Sequence, residues 1–399
     1  MKQNLGIGIT TVLPGWKILL EQEGVQFKSC SFAKKVKPEA FGCVIVNSAL
    51  AKPRLKNARA FVEAGGAILT SFEFAEQFDK KLDWIERKVR FIEPKGKFFK
   101  GAGLLWLHQK VAFFKPGKTA IPVERKIGKG RIVVLPFDTE KAVLETAFEK
   151  RGFHAKKAFP ADFASHASKR NVRVVVSNCL AWLFEKRSLP FLHLWYYPKE
   201  FESVFSFHID VDNFSTDVFP TVALMEKLKL KPLWFLNMES SKNSPDPKIG
   251  SVLSKQKFVA QHAFEHNYFE DQNKSYKNVL KGDSEIKKFG VKPESLSAPN
   301  GVWGKGVARA AQDLGYKFVI AFSLDHDDFP FKPIVDGKQM RFLLLPTHQI
   351  CIGILKLYDF SEKDMIEYYR SAIEGHIAGN TPMFFYGHPL KRMARFPAV

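Results

Sequence analysis

Apolar positions in the first half of the chain fall into alternating strand-like and helix-like runs. Gly6 to Leu13 reads as a strand, Trp16 to Gln22 as a helix, and Cys43 to Asn47 (CVIVN) as a short buried strand. Pro53 opens a helix in which Leu55, Ala58, Phe61 and Val62 share a face. Gly65-Gly66 ends it before the strand Ala67-Ile68-Leu69. This rhythm predicts a parallel sheet. Between Trp84 and Arg131 it changes to short β-like pieces with Lys beside Phe, as in GKFFKGAG and VAFFKPGK: either an anion-binding face or, more simply, charges outward with Phe inward. Gly128-Lys129-Gly130-Arg131 predicts a hairpin turn, because Ile132 to Leu135 continues as a strand where a phosphate loop would need a helix. A helix from Asn171 to Glu185 closes a first domain, residues 1–187, and the aromatic connector Leu189 to Lys199 (LPFLHLWYYPK) lies in a linker, residues 188–200.

The second half, residues 201–399, has the same rhythm but carries polar clusters. Phe201 to Asn213 (FESVFSFHIDVDN) alternates and ends on Asp210 and Asp212, which a strand would present on one face. A helix runs from Pro220 through Leu228, and Pro232 to Met238 is a strand. Lys257 to Ala260 leads into His262 and His266; Ser295 to Ala298 into Pro299, Asn300 and Gly301; Phe318 to Phe322 into Asp325, Asp327 and Asp328. Helix Lys305 to Leu314 precedes Gly315. Ser361 caps a helix carrying Ile366, Tyr369, Ile373 and Ile377, and Met383 to Tyr386 forms a last strand before His388. Each cluster thus lies just past a predicted strand, which is where a βα barrel assembles its active site. Carboxylates with imidazoles suit a divalent ion such as zinc.

Composition narrows the classes. The 399 residues suit two domains, and 45% hydrophobic with 26% charged residues is a soluble, globular balance. No apolar run approaches the ~20 residues of a membrane span. The opening MKQNLGIGITTVLPGW reads as a first strand and turn rather than a secretory signal, since Pro14, Gly15, Trp16 and Lys17 interrupt it. Cys30, Cys43, Cys179 and Cys351 are widely spaced, which argues against a disulfide framework or thiolate metal site and for the cytoplasm. The +20 net charge favours an anionic partner such as an acidic glycan, a lipid-linked phosphate or a membrane surface, or is simply a solvated basic surface; no nucleic-acid motif accompanies it.

These residues carry two resemblances. The first half, with GGAIL after a helix and GKGRIVVLPFD, resembles the flavodoxin-type class I glutamine-amidotransferase-like domains. No cysteine sits in a strand-turn-helix elbow, which implies a structural or glycan-positioning role. Residues 201 to 390 resemble the polysaccharide deacetylases of carbohydrate esterase family four, which implies an incomplete βα barrel acting on an acetylated glycan or lipid-linked sugar. By that resemblance Asp210 is the catalytic base; Asp212, with His262 and His266 as the HxxxH pair, holds the metal; and His388, in Tyr386-Gly387-His388, is the general acid. The family's RxPxG motif falls on Ser297 to Gly301 and so includes Pro299 and Asn300, with Ser297 replacing the arginine that orients the base. Arg341 is a candidate substitute cation. One of Asp325, Asp327 and Asp328 would steady His388, and Trp303 is either an aromatic wall of the site or a core residue.

The expected activity is therefore a metal-dependent, most simply zinc-dependent, hydrolase removing acetyl groups from a sugar, N-acetyl before O-acetyl. Two alternatives stand beside it. One is a barrel that binds glycans without turnover, suggested by the lost arginine. The other is a zinc peptidase reading His262-Ala263-Phe264-Glu265-His266 as HxxEH with Glu265 as base, which requires a helix there. The number of subunits is left open.

Overall fold

A computed structural model describes residues 4–115, 119–150, 163–198, 200–267, 269–322, 329–348 and 350–389. Chain contacts divide the protein into two compact units, residues 1–145 with 166–198 and residues 146–165 with 199–399.

The first unit is a doubly wound α/β layer. Its elements are β1 (Ile7–Ile9), α1 (Pro14–Gln22), β2 (Phe27–Ser29), β3 (Cys43–Val46), α2 (Lys52–Glu63), β4 (Ala67–Ser71), β5 (Trp84–Ile92), β6 (Leu105–Phe114), β7 (Val123–Ile127), β8 (Gly130–Leu135), α3 (Thr139–Leu144) and α4 (Lys169–Glu185). Sheet order β2-β1-β3-β4-β8-β7 is parallel up to β8, a flavodoxin-like arrangement, and β7 pairs antiparallel at the edge. The strand predicted over Gly6 to Leu13 is shorter, because Pro14 starts α1. The predicted hairpin forms, with Ile127 paired to Gly130 and Gly128 at φ 58°. In α1 the first turn is closed from afar: Gly15 N and Trp16 N each donate to the Glu140 carboxylate at 2.9 Å.

The second unit is a nearly closed parallel barrel. It comprises β9 (Phe205–Val211), α5 (Val218–Lys227), β10 (Leu233–Leu236), β11 (Phe258–Gln261), α6 (Gln272–Lys287), β12 (Ser295–Ser297), α7 (Lys305–Asp313), β13 (Phe318–Ala321), β14 (Leu343–Pro346), α8 (Ile352–Leu357), α9 (Glu362–Ala378) and β15 (Met383–Gly387). The seven strands run β14-β13-β12-β11-β10-β9-β15, all parallel. Just past β14, His348 N donates to Phe384 O at 2.7 Å, which bridges the open seam between β14 and β15. Phe235, Ala260 and Ile320 fill the barrel interior. Helices cap as their sequences direct: Ser361 and Asp364 form a capping box on α9, and Asp271 accepts from Asn273 N and Lys274 N on α6. Among the described residues no helix is long and apolar enough to cross a membrane.

Candidate metal centre

Strand register sets the first pair of functional groups. Ile209 of β9 pairs with Gly387 of β15, so the next residues, Asp210 and His388, emerge from neighbouring strands at the same level. Asp210 is buried and its Oδ1 has no hydrogen-bond partner among the described residues; Oδ2 lies 3.8 Å from His208 Nε2. Asp212 lies just past the end of β9 and faces three imidazoles. Its Oδ1 is 3.3 Å from His262 Nε2 and 3.3 Å from His266 Nε2, and its Oδ2 is 3.4 Å from His388 Nε2.

His262 comes directly after β11. Its Nδ1 lies 2.8 Å from the Ser297 carbonyl, which can only accept, so Nδ1 carries a proton and Nε2 is left to face Asp212. The loop from His262 to His266 is not helical. The helix that an HxxEH peptidase reading of Glu265 requires is therefore missing at that loop. Ala263 turns the chain at φ 56°, and two buried amides clamp Phe264 and Glu265. Asn237 Nδ2 donates to Phe264 O at 2.9 Å, while Asn278 accepts from Glu265 N at 2.8 Å and donates to Glu265 O at 2.9 Å.

This crowding sets the charges. Burial opposes ionisation of Asp212, yet the close approach of His262, with the charges of His388 and His266, holds its carboxyl down to about 2. Burial also opposes protonation of His262, but Asp210 and Asp212 overcome it and raise its pKa. His266 is lowered by burial and by His262. His388 is raised to about 9: burial works against this, while the thiol of Cys351 and the carboxylate of Asp212 favour the imidazolium. His208 goes the other way, to about 4, chiefly through burial, and is neutral at pH 7.

These residues fit a divalent cation. Asp212 Oδ1 is buried and, although two imidazole nitrogens face it, neither meets it in hydrogen-bond geometry. With Nδ1 of His262 already protonated, a neutral ring presents a lone pair to a carboxylate lone pair, an arrangement that calls for a cation between them. Donor separations of 3.3 Å match the roughly 3.3–3.6 Å edges of a tetrahedron with ~2.0–2.2 Å bonds. One carboxylate and two imidazoles, with their ligand atoms all within 4.8 Å, form the cluster. The carbonyl of Ser297 and the amides of Asn237 and Asn278 are the outer support such a site needs.

No protein-family model matches this sequence, and no curated protein matches it. Among solved structures, a candidate polysaccharide deacetylase from Mycobacterium smegmatis is 15% identical with a TM-score of 0.41, covering 48% of this chain and 79% of that one. The allantoinase PuuE is 12% identical with a TM-score of 0.42, covering 50% and 84%. A pseudoenzyme of carbohydrate esterase family four from Bacillus anthracis is 11% identical with a TM-score of 0.35, covering 50% and 59%.

The remaining expected residues divide. Asp210, Asp212, His262, His266 and His388 converge. Pro299 is buried in a short turn after β12 where Asn300, exposed, adopts φ 55°. Trp303 packs edge-on against Phe342 at 6.1 Å, beside the core between the barrel and α7. Asp325, Asp327 and Asp328 lie outside the described residues. Arg341 is exposed, and among the described ion pairs Asp210 meets His208 and no arginine or lysine. His208 was readable from the sequence, since HID places it two residues before Asp210 on the same strand face. Cys351, at the start of α8, and Tyr386, stacked on His208 at 5.6 Å, become neighbours of the site only through the closure of the barrel.

Proposed function

We propose that this protein is a metal-dependent hydrolase that removes acetyl groups, N-acetyl in preference to O-acetyl, from a sugar, polysaccharide or lipid-linked sugar. One observation carries the reading: the Asp212, His262 and His266 donor set is accompanied by a buried carboxylate, Asp210, with an oxygen unpartnered among the described residues, and by a separate imidazole, His388. Zinc is the ion these donors suit, with Asp212, His262 and His266 as ligands. Bound there, it would supply Lewis acidity, polarising an acetyl carbonyl and lowering the pKa of a water.

The chain's own groups supply the proton transfers. Asp210 takes a proton from the attacking water through its unsatisfied Oδ1. His388 holds a proton between Asp212 and Cys351 and gives it to the departing sugar amine. An amine leaves poorly without that proton, which is why a raised imidazole favours the amide substrate. Pro299, Asn300 and Trp303 are proposed to shape the sugar side of the site, with Asp325 or Asp328 as further support. The first domain, residues 1–187, is proposed to be a non-catalytic relative of the glutamine-amidotransferase-like domains that positions the glycan, with residues 188–200 as linker. Four free, buried cysteines support a reducing compartment such as the cytoplasm.

The second reading, a barrel that binds glycans without turnover, is favoured by Ser297 at the arginine position. Metal stoichiometry and acetate release from a panel of acetylated glycans separate the two. Wild type should bind one zinc and release acetate; His262→Ala and His266→Ala should lose the metal; Asp210→Asn should keep it and lose turnover. Full stoichiometric metal in both histidine variants rejects the site. One bound zinc with no acetate from any glycan favours the binding barrel.

A further inference from the structure

The barrel has a second concavity, at the end opposite the histidines. A cavity of ≈ 420 Å³ is lined by Lys231, Lys257, Lys292, Glu294, Ser295 and Phe258 among others. These residues occupy strand starts: Phe258 and Ser295 are the first residues of β11 and β12, and Lys231 lies two residues before β10. His262 is four residues further along the same strand direction as Phe258, roughly 13 Å away at the rise of a β-strand. The two sites therefore share no residue.

Its electrostatics are one-sided. The only carboxylate in the lining, Glu294, is paired with Lys317 at 2.5 Å. Lys231, Lys257 and Lys292 have no carboxylate partner among the described ion pairs, and Lys257 lies over the Phe258 ring at 5.0 Å. Ser295 adds a neutral donor to these three cations. The residue as a whole is 3% exposed, and its hydroxyl makes no hydrogen bond within the described protein and opens onto the cavity. A hydroxyl that faces the cavity with no partner in the protein is available to donate to a ligand there.

We propose that this N-terminal mouth of the barrel is a second binding site, for a ligand bearing a phosphate group and a small apolar part. Three ammonium groups act as point charges on a dianion, which accepts several donors at once, and the Ser295 hydroxyl adds one from the floor. A carboxylate would neutralise only one of the three. The volume lies within the range of small-ligand pockets. The phosphate could belong to a soluble phosphomonoester or to a lipid headgroup, and the site does not depend on the metal.

Calorimetric titration of the full chain with phenyl phosphate tests this, beside sedimentation with phosphatidylcholine vesicles containing or lacking phosphatidic acid. Phenyl phosphate should bind with one-to-one stoichiometry. The triple variant K231Q/K257Q/K292Q should weaken it about tenfold or more, and Ser295→Ala about threefold to tenfold. Both variants should keep the wild-type melting temperature and zinc stoichiometry, which separates lost binding from lost folding. Saturation by phenyl phosphate without vesicle binding assigns a soluble ligand, and saturation with binding only to phosphatidic acid vesicles assigns a headgroup that enters the cavity. Vesicle binding with no phenyl phosphate uptake, or uptake unaltered in both variants, overturns the cavity site.

Discussion

Gly282→Ala is the sharpest test of how the metal loop is held, because propensity and packing predict opposite signs. Gly282 lies in the interior of α6, where alanine is normally favoured over glycine by about 1 kcal/mol. A Cβ at this position would stand 2.4 Å from Gln261 Oε1, 2.6 Å from the Ala263 carbonyl carbon and 2.8 Å from Phe264 N. The first neighbour is a side-chain end, but its amide nitrogen is bonded to Tyr316 and Val279 and cannot swing away freely. The other two are backbone of the loop between His262 and His266. Reaching the 3.4 Å of ordinary contact moves that backbone or the helix by about 0.8 Å. Metal ligands tolerate displacements of about 0.2 Å. Overpacking costs about 1–3 kcal/mol, so the net effect is destabilisation by roughly 0–2 kcal/mol despite the better helix former.

Zinc affinity should fall about 10–100-fold, the usual cost of disturbing the outer support of a metal site. Competition with a chromophoric chelator measures this, and thermal unfolding of the metal-free protein measures the stability change. Gly375, interior to α9, is the control: a Cβ there meets nothing within 4 Å. Gly375→Ala should stabilise by about 0.5–1 kcal/mol with zinc affinity unchanged. A Gly282→Ala protein that melts higher than wild type and binds zinc equally well would refute the close approach and, with it, the part α6 plays in positioning His262 and His266.

Two further outcomes are expected. His388→Ala should keep its zinc and lose activity most on substrates with an amine leaving group, while an activated aryl acetate suffers much less; equal losses on both would reduce His388 to a structural residue. In the first unit Glu140 is raised chiefly by burial, against the two N–H groups it accepts from. Its folded pKa thus lies above the unfolded value of about 4.5, so its pH-dependent contribution is full below that value and lost as pH rises through the folded pKa. Glu140→Gln should remove that decline in acid-range melting curves, and Glu140→Ala should cost about 1 kcal/mol by uncapping α1.

Much of this was written in the chain because barrel strands are locally encoded. The alternation of FESVFSFHIDVDN delivers Asp210 and places Asp212 just past the strand end, and the apolar run before His388 marks β15. Both come from period two and strand length alone. The Gly128 hairpin was equally legible, since only a turn fits two glycines between two β runs. What could not be read depends on tertiary closure. Cys351 approaches His388 only because α8 begins beside the barrel rim. Asn237 and Asn278 clamp the histidine loop from two different elements, and nothing in their local sequence marks them. Arg341 is in the right half of the chain but faces solvent, a fact set by the packing of β14 rather than by its neighbours in sequence.

Under the proposed function, Ser297 stands where the resembling family carries an arginine, so Asp210 lacks that cation. In this structure its one described ion-pair neighbour, His208, is itself buried and pushed down to about 4, so it contributes a polar edge and no charge at pH 7. Replacing Ser297 by the larger cation is not simple, because its side chain is buried and its carbonyl fixes the His262 tautomer. On that reading the compensating positive charge comes from His388, which is raised to about 9, and from the cation that Asp212, His262 and His266 would hold. Metal removal should therefore disturb Asp210 as well as its three neighbours, and an infrared carboxylate band that moves on zinc binding in wild type but not in Asp210→Asn would report it. The same band unmoved in both proteins would place the charge of Asp210 outside the metal's influence and leave the lost arginine uncompensated.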